Sequence, residues 1–448
     1  MGGRDMGHQA NSSQKRIALI DGNNFYVSCE RVMQPRLVGR PVIVLSNNDG
    51  CAISRSDEAK AMGIKMGAPL HEFRSLIRNG NLEALSANFA LYGDLSERMM
   101  RVLGQFSPRQ EIYSIDESFL DLTGIAGTGR QIGTDIRQRV ARWTGIPTCV
   151  GIGPSKTLAK LANHLAKKVP RLQGVCDLTG LPQEKLLKIL GHIPVDEVWG
   201  VGRRLAPRLA GLGISTAAHL ASANPGWIRK CFSVTLANTV RELQGISCLD
   251  LQDIAEPRQQ IIHSRSFGAA VRQFSDLAQA VSMFACQAAA KLRIQQSTAA
   301  AIQVSIFYRN NPWSITHQRH AILDLVPATD STTILADTAS KCLRSIFEPG
   351  YDYIKAGVRL LDICPKHPDC AQQLELDFDS AQTESAAQAR LADTALMRTL
   401  DQINARFGDG TLMPASSSHR ADAPWLMRQK SKSSNFTTNW KELALVHC

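Results

Sequence analysis

The apolar run RIALI (16–20) breaks off at Asp21-Gly22-Asn23-Asn24. That pattern predicts a buried strand delivering an acid at its C-terminal end. FYVSCERVM (25–33) has helical spacing, PVIVLS (41–46) reads as a second buried strand, and NNDG (47–50) as a turn. SDEAKAMG (56–63) predicts a helix with Ser56 as N-cap and Gly63 at its end. Over 87–106 the residues Leu91, Leu95, Met99, Val102 and Phe106 share one helical face. IYSIDESFLDL (112–122) reads as two short strands around Asp116-Glu117. A basic helix over 129–143, the strand TCVGIG (148–153) and a Lys-rich helix over 155–168 follow. This order predicts a small antiparallel sheet backed by helices.

Residues 181–245 read as all-helical, and 258–363 as a separate α+β unit with strands at 302–308 and 354–363 and a helix at 276–293. The polar stretch 246–257 reads as a linker between them. After Cys364 the composition shifts to Gln, Ser, Ala and Asp, which leaves the order of that stretch open. Residues 1–15 read as a loose tail without an apolar core, so no secretory signal is expected. A chain of 448 residues is long enough for several domains.

Composition narrows the class. No apolar run reaches about 18 residues, so no membrane span is expected. Eleven scattered cysteines then read as thiols of a reducing cytoplasm. Cys364, His367 and Cys370 have zinc-like spacing, but no fourth ligand is evident and a linker is the simpler reading. Net charge is +11, and residues 137–230 hold 15 Lys and Arg against four acids, an excess equal to that of the whole chain. A basic stretch this concentrated points to a polyanionic partner, of which nucleic acid is the obvious class.

Asp116 and Glu117 are adjacent carboxylates at a tight turn, which resist burial unless solvated or neutralised by a cation. If the strand ending at Asp21 is their neighbour, three acids meet at one sheet edge. Mg²⁺ takes oxygen ligands of this kind together with substrate phosphates. Two such ions about 4 Å apart stabilise both the attacking and the leaving oxygen of a phosphoryl transfer.

DGNNFYVSCE (21–30), YSIDESFLD (113–121), GIGPSKTLAKLAN (151–163) and WGVGRRLAPRLAGLGI (199–214) resemble the Y-family, or translesion, DNA polymerases. They stand in the order and spacing of that family, over about residues 16–363. Residues 21–63, HSRSFG (263–268) and WLMRQKSKSSNFTTNWKELALV (425–446) resemble its UmuC-type branch, which includes plasmid-borne members. The resemblance implies an α+β multidomain fold of right-hand form. A ferredoxin-like palm would lie at 16–25 and 86–175, small fingers at 26–85, and a helical thumb with a helix-hairpin-helix at 176–245. An α+β little finger would span 258–363, and a C-terminal extension 364–448.

It also implies roles. Asp21, Asp116, Glu117 and the Gly22 carbonyl would hold the two Mg²⁺ ions, with Mn²⁺ as an alternative. Tyr26 would exclude a ribose 2′-hydroxyl. Ser54, Lys60 and Lys156 would meet the triphosphate, with Asp57 and Lys60 standing where the family often has Tyr and Arg. Gly200, Gly202, Arg203 and Arg204 would grip the DNA backbone without reading sequence. Gln373, Leu374, Leu376 and Phe378 would dock on a β sliding clamp. The implied activity is error-prone extension of primer-template DNA with dNTPs in the SOS response, alongside a UmuD′-like dimer and RecA.

Three rivals are weighed. Nucleotide cyclases and reverse transcriptases use similar acids, but no signature of either is present, and a cyclase needs no basic stretch. A non-catalytic DNA-binding scaffold could lose the acids, yet all three are here. A polymerase IV-type enzyme acting without a UmuD-like subunit would lack the C-terminal extension.

Overall fold

The computed structural model describes residues 15–252, 256–310, 314–366, 380–418 and 422–443. The chain divides into two compact units. The first holds residues 1–46, 50–255 and 431–448; the second holds 47–49 and 256–430.

The first unit runs β1 (Ile17–Gly22), α1 (Phe25–Met33), β2 (Val42–Leu45), β3 (Ala52–Arg55), α2 (Asp57–Ala61), α3 (Arg74–Arg78), β4 (Glu83–Ser86) and α4 (Phe89–Leu103). It continues through β5 (Gln110–Ile112), β6 (Glu117–Asp121), α5 (Gly129–Thr144), β7 (Thr148–Gly153), α6 (Lys156–Lys168) and β8 (Val175–Asp177). Five short helices follow: α7 (Gln183–Leu190), α8 (Leu205–Ala210), α9 (Ala217–Ala221), α10 (Pro225–Cys231) and α11 (Val234–Leu243).

One sheet has the order β5-β6-β1-β7-β8. It is antiparallel as expected except for the parallel pair β7/β8. The central strand β1 is buried throughout. Ala18 and Ile20 pack with Leu91 and Leu95 of α4 and Ile136 of α5, whereas Ile17 and Leu19 pack with Phe119, Ala159 of α6 and Leu251. A strand covered on both faces needs a continuous apolar run rather than alternation, and RIALI supplies it. A smaller sheet, β3-β2-β4, joins β2 to β4 in parallel.

The caps match the local sequence. Ser56 accepts a hydrogen bond from the Ala59 N–H, and Thr128 with Gln131 forms a capping box on α5. Helix α6 lies so close to β7 that a Cβ at Gly151 would collide with the Asn163 nitrogen and the Ala159 carbonyl.

The expected linker 246–257 is in part pinned down. The Glu242 carboxylate accepts from the N–H groups of Cys248 and Leu249, Glu111 accepts from the Gln252 N–H, and Leu251 is buried.

The second unit contains β9 (Ile261–Val271), α12 (Phe274–Ile294), β10 (Ser297–Arg309), β11 (His317–Thr329), α13 (Thr332–Ile346), β12 (Asp352–Pro365) and α14 (Ser380–Phe407). Its antiparallel sheet has the order β11-β10-β12-β9. Helices α12 and α13 and the side chain of Trp425 pack into one core with the sheet's inner face. After Cys364, where composition left the order open, the described residues include α14, which Asp401 fastens to Arg293 through two hydrogen bonds of 2.7 Å.

Candidate active site

The end of β1 places Asp21 directly opposite Glu117 of β6, and the Gly22 N–H donates to the Asp116 carbonyl at 2.9 Å. The turn before β6 is shaped by Ser114, whose hydroxyl donates to Asp116 Oδ1 (2.6 Å) and accepts from the Glu117 N–H (3.0 Å). The three acids expected at one sheet edge are therefore brought together. Like charges directly opposite in an antiparallel pair repel, so this edge needs cations.

Helix α6 supplies them. Lys167 Nζ lies 2.6 Å from Asp21 Oδ2, and Lys160 Nζ lies 3.1 Å from both Glu117 oxygens. Lys160 also sits over the rings of Tyr113 and Trp199, at 4.4 and 5.3 Å. Burial pushes Asp21 up to about 6; Lys167 opposes that shift, and Glu117 and Asp116 add to it. Among the described residues no three His, Cys, Asp or Glu side chains form a ready-made metal cage. Asp21 and Glu117 are turned to ammonium groups instead, and Asp116 to the Ser114 hydroxyl. The donor set is nonetheless all oxygen, as a hard divalent cation requires.

Lys156 requires a correction. It is 4% exposed, and its ammonium pairs with the Glu111 carboxylate and the Asp250 carbonyl, away from the acids. The first turn of α6 points it into the unit as a structural ion pair, which removes it as a triphosphate contact. Lys160 and Lys167, which the sequence reading passed over, face the acids. Their separation of two helical turns puts both on one face of α6, a signal the spacing did contain.

Tyr26 lies in the first turn of α1, two residues after Asn24, which adopts the left-handed conformation at the start of the helix. Its ring stacks on Tyr92 of α4 (4.6 Å, 18°) and meets the edge of Phe89 (6.0 Å). Burial raises its phenol, with the negative charge of Asp116 as the next cause. Ser54 is buried, and its hydroxyl lies 3.4 Å from the Val27 N–H. Lys60 bonds to Asn24 Oδ1 (2.6 Å) and Asp57 Oδ1 (3.0 Å). Asp57 is thus the local partner of Lys60.

Gly200 has φ +90°, which a side chain would strain. Gly202 faces open space, and Arg203 and Arg204 are exposed just before α8. The clamp peptide residues Gln373, Leu374, Leu376 and Phe378 lie outside the described residues, as do His367 and Cys370. No described helix is long and apolar enough to cross a membrane.

Family models match four segments. Residues 20–164 match the impB/mucB/samB family, 258–376 its C-terminal domain, 184–214 the helix-hairpin-helix motif of that family, and 394–446 a domain of unknown function, DUF4113. The chain is 43% identical to Protein ImpB of Salmonella typhimurium over 96% of its length and 99% of that protein. It is 41% identical to Protein UmuC of Salmonella typhimurium strain LT2, over 96% of this chain and all of that protein. DNA polymerase IV of Pelotomaculum thermopropionicum is 36% identical over 46% of this chain and 50% of its own. A Y-family DNA polymerase chimera of Dbh and Dpo4 superposes with a TM-score of 0.63 at 21% identity, covering 78% of this chain and 99% of the chimera. The chain belongs to the impB/mucB/samB family and is a UmuC-like Y-family DNA polymerase.

Proposed function

We propose that this chain is an error-prone translesion DNA polymerase that transfers a nucleotidyl group from dNTP to a primer 3′-hydroxyl. The 3′-oxygen bonds to the α-phosphorus, its proton departs, and the bond to the bridging oxygen breaks to release pyrophosphate. The observation that carries this reading is the sheet edge where Asp21 stands opposite Glu117 and Asp116 bonds to Gly22, faced by two lysines.

Y-family DNA polymerases use divalent metal ions. In this reading Asp21, Asp116, Glu117 and the Gly22 carbonyl hold two Mg²⁺ ions, or Mn²⁺, which would supply activation of the 3′-hydroxyl and charge neutralisation on the triphosphate. Lys160 and Lys167 act as counter-ions when the carboxylates stand alone. Once the carboxylates are otherwise neutralised, both ammonium groups are free to take phosphate oxygens. Tyr26 is the sugar gate: a planar ring held by Tyr92 leaves no room for a 2′-oxygen. Lys60, kept in place by Asn24 and Asp57, reaches the triphosphate as a point charge rather than a fork, and Ser54 lines the same approach. Gly200, Gly202, Arg203 and Arg204 hold the DNA backbone.

The palm is residues 16–25 and 86–175, the fingers 26–85, the thumb 176–245 and the little finger 258–363. The identity of 43% and 41% to ImpB and UmuC over 96% of the chain, against 28% to a DNA polymerase IV of Mesorhizobium japonicum over 88% of it, supports action with a UmuD′-like dimer and RecA in the SOS response, in the cytoplasm. Docking of 373–378 on the β clamp belongs to the same reading.

The test is primer extension by Asp116→Ala. Extension is expected to fall about a thousandfold or more, since several kcal/mol of charge stabilisation are lost, while DNA binding persists. Extension at the wild-type rate by the variant overturns the assignment.

A further inference from the structure

Glu30 of α1 is fully buried, and its carboxylate joins three segments of the first unit. Glu30 Oε1 accepts from the Tyr92 hydroxyl of α4 at 2.7 Å and from the Ser433 hydroxyl of the C-terminal segment at 2.9 Å. Glu30 Oε2 accepts from Gln34 Nε2 at 3.1 Å. A buried carboxylate requires such donors, because each one lost leaves an oxygen uncompensated.

The C-terminal segment is itself built in. The Ser86 N–H donates to the Ser431 carbonyl, and the Ser431 N–H donates to the Ser86 hydroxyl, both at 3.0 Å. Asn88 Nδ2, at the cap of α4, lies within 3.2 Å of the Ser433 carbonyl and hydroxyl and the Ser434 carbonyl. Phe436 packs against the core that holds Tyr92. Beyond it, Glu442 closes a turn by accepting from the Asn435 N–H at 2.7 Å and from Asn439 Nδ2 at 2.7 Å.

The other face of Tyr92 matters more. Its ring lies under Tyr26 at 4.6 Å and 18°. Among the described residues the Tyr26 hydroxyl has no hydrogen-bond partner, so that ring owes its place to what it stacks on. Tyr92 is packed in the core against Phe89, and its hydroxyl is anchored by its bond to Glu30 Oε1, the oxygen it shares with Ser433.

We infer that Ser433, Glu30 and Tyr92 position the Tyr26 ring, so that the C-terminal segment 431–436, within the stretch matching DUF4113, sets the stringency of sugar selection. This rests on the reading of Tyr26 as the sugar gate. Ser433, Glu30 and Tyr92 are positioning residues that touch no substrate.

The experiment is single-nucleotide insertion by the full-length chain with a dNTP and the matching rNTP, for Ser433→Ala, Ser433→Thr, Tyr92→Phe and Tyr26→Ala. Loss of one hydrogen bond to a buried carboxylate is expected to lower dNTP/rNTP selectivity about three- to tenfold in Ser433→Ala and Tyr92→Phe. The change should enter through KM for the rNTP, with little change in kcat for the dNTP. Ser433→Thr keeps a hydroxyl and should keep the selectivity. Ser433 is half-buried and small, so its alanine variant decides the matter if Tyr92→Phe does not fold. Wild-type selectivity in both variants, with selectivity lost in Tyr26→Ala, overturns the inference and leaves the gate standing. A uniform loss for both nucleotides with the ratio intact also overturns it. Selectivity retained in Tyr26→Ala removes the gate and this inference together.

Discussion

A carboxylate 8% exposed, opposite another carboxylate, survives in Asp21 because Lys167 and Lys160 share the charge of the pair. His263 in β9 meets its surroundings without such help. Neither ring nitrogen has a partner among the described residues, and the ring rests 5.2 Å from that of Phe284. Burial, then Arg265 and Lys291, pushes its pKa from 6.5 down to about 4. Between those values the unfolded chain binds a proton that the folded one refuses. Its contribution to stability is therefore fully present above about 6.5 and drains away as pH falls toward 4. His263→Phe keeps a ring against Phe284 and removes the titration. Thermal melts of the variant should lose less midpoint between pH 6.5 and 4 than those of the wild type; an equally steep loss would refute this account. At this scale the strand pattern alone pointed to Asp21, Asp116 and Glu117 at one sheet edge, which is where they stand, whereas Tyr26 was singled out only through the family resemblance. The sequence reading chose Lys156 because the family resemblance and the helix N-terminus singled out that position, and the shared face of Lys160 and Lys167 was not weighed. Glu30 carried no signal at all, since its three donors come from residues 34, 92 and 433.

Among the elements, the pairing of α6 with β7 is the most exacting. Gly151 lets the helix backbone rest on the strand that flanks β1, and α6 carries both lysines facing the acids. Gly151→Ala is expected to force the two apart and to leave little soluble folded protein. Wild-type expression and melting of that variant would show that the contact yields. The elements readable in advance were β1, by its unbroken apolar run, and α4, α5 and α6, by a covered face with a helical period. β11 was missed because it is an edge strand exposed along most of its length, so its residues do not alternate. α14 was missed because its composition is polar and its described anchors are few, chiefly Met397 and Asp401.

For the whole molecule, the C-terminal region is divided between two cores. Trp425, 1% exposed, sits in the core of the second unit, whereas residues from 431 onward belong to the first. Removing a buried indole costs about 3–5 kcal/mol. Trp425→Ala should thus lower the unfolding midpoint of the second unit in denaturant, and an unchanged midpoint would show that the cavity collapses freely. The division into units was only partly legible. The helical stretch and the α+β unit stand out by pattern, but no pattern foretells that 47–49 joins the second unit while 431–443 returns to the first.

That return has a consequence for how the molecule is made. Residue 15 leaves the ribosome long before Ser433, and at ordinary synthesis speeds the gap is roughly 20–80 s. Throughout that interval the nascent first unit carries Glu30 without one of its donors and an uncovered edge at Ser86. The first unit is thus completed only when residues 431–436 have been made. A chain cut short of them leaves the buried Glu30 one donor short and the Ser86 edge uncovered.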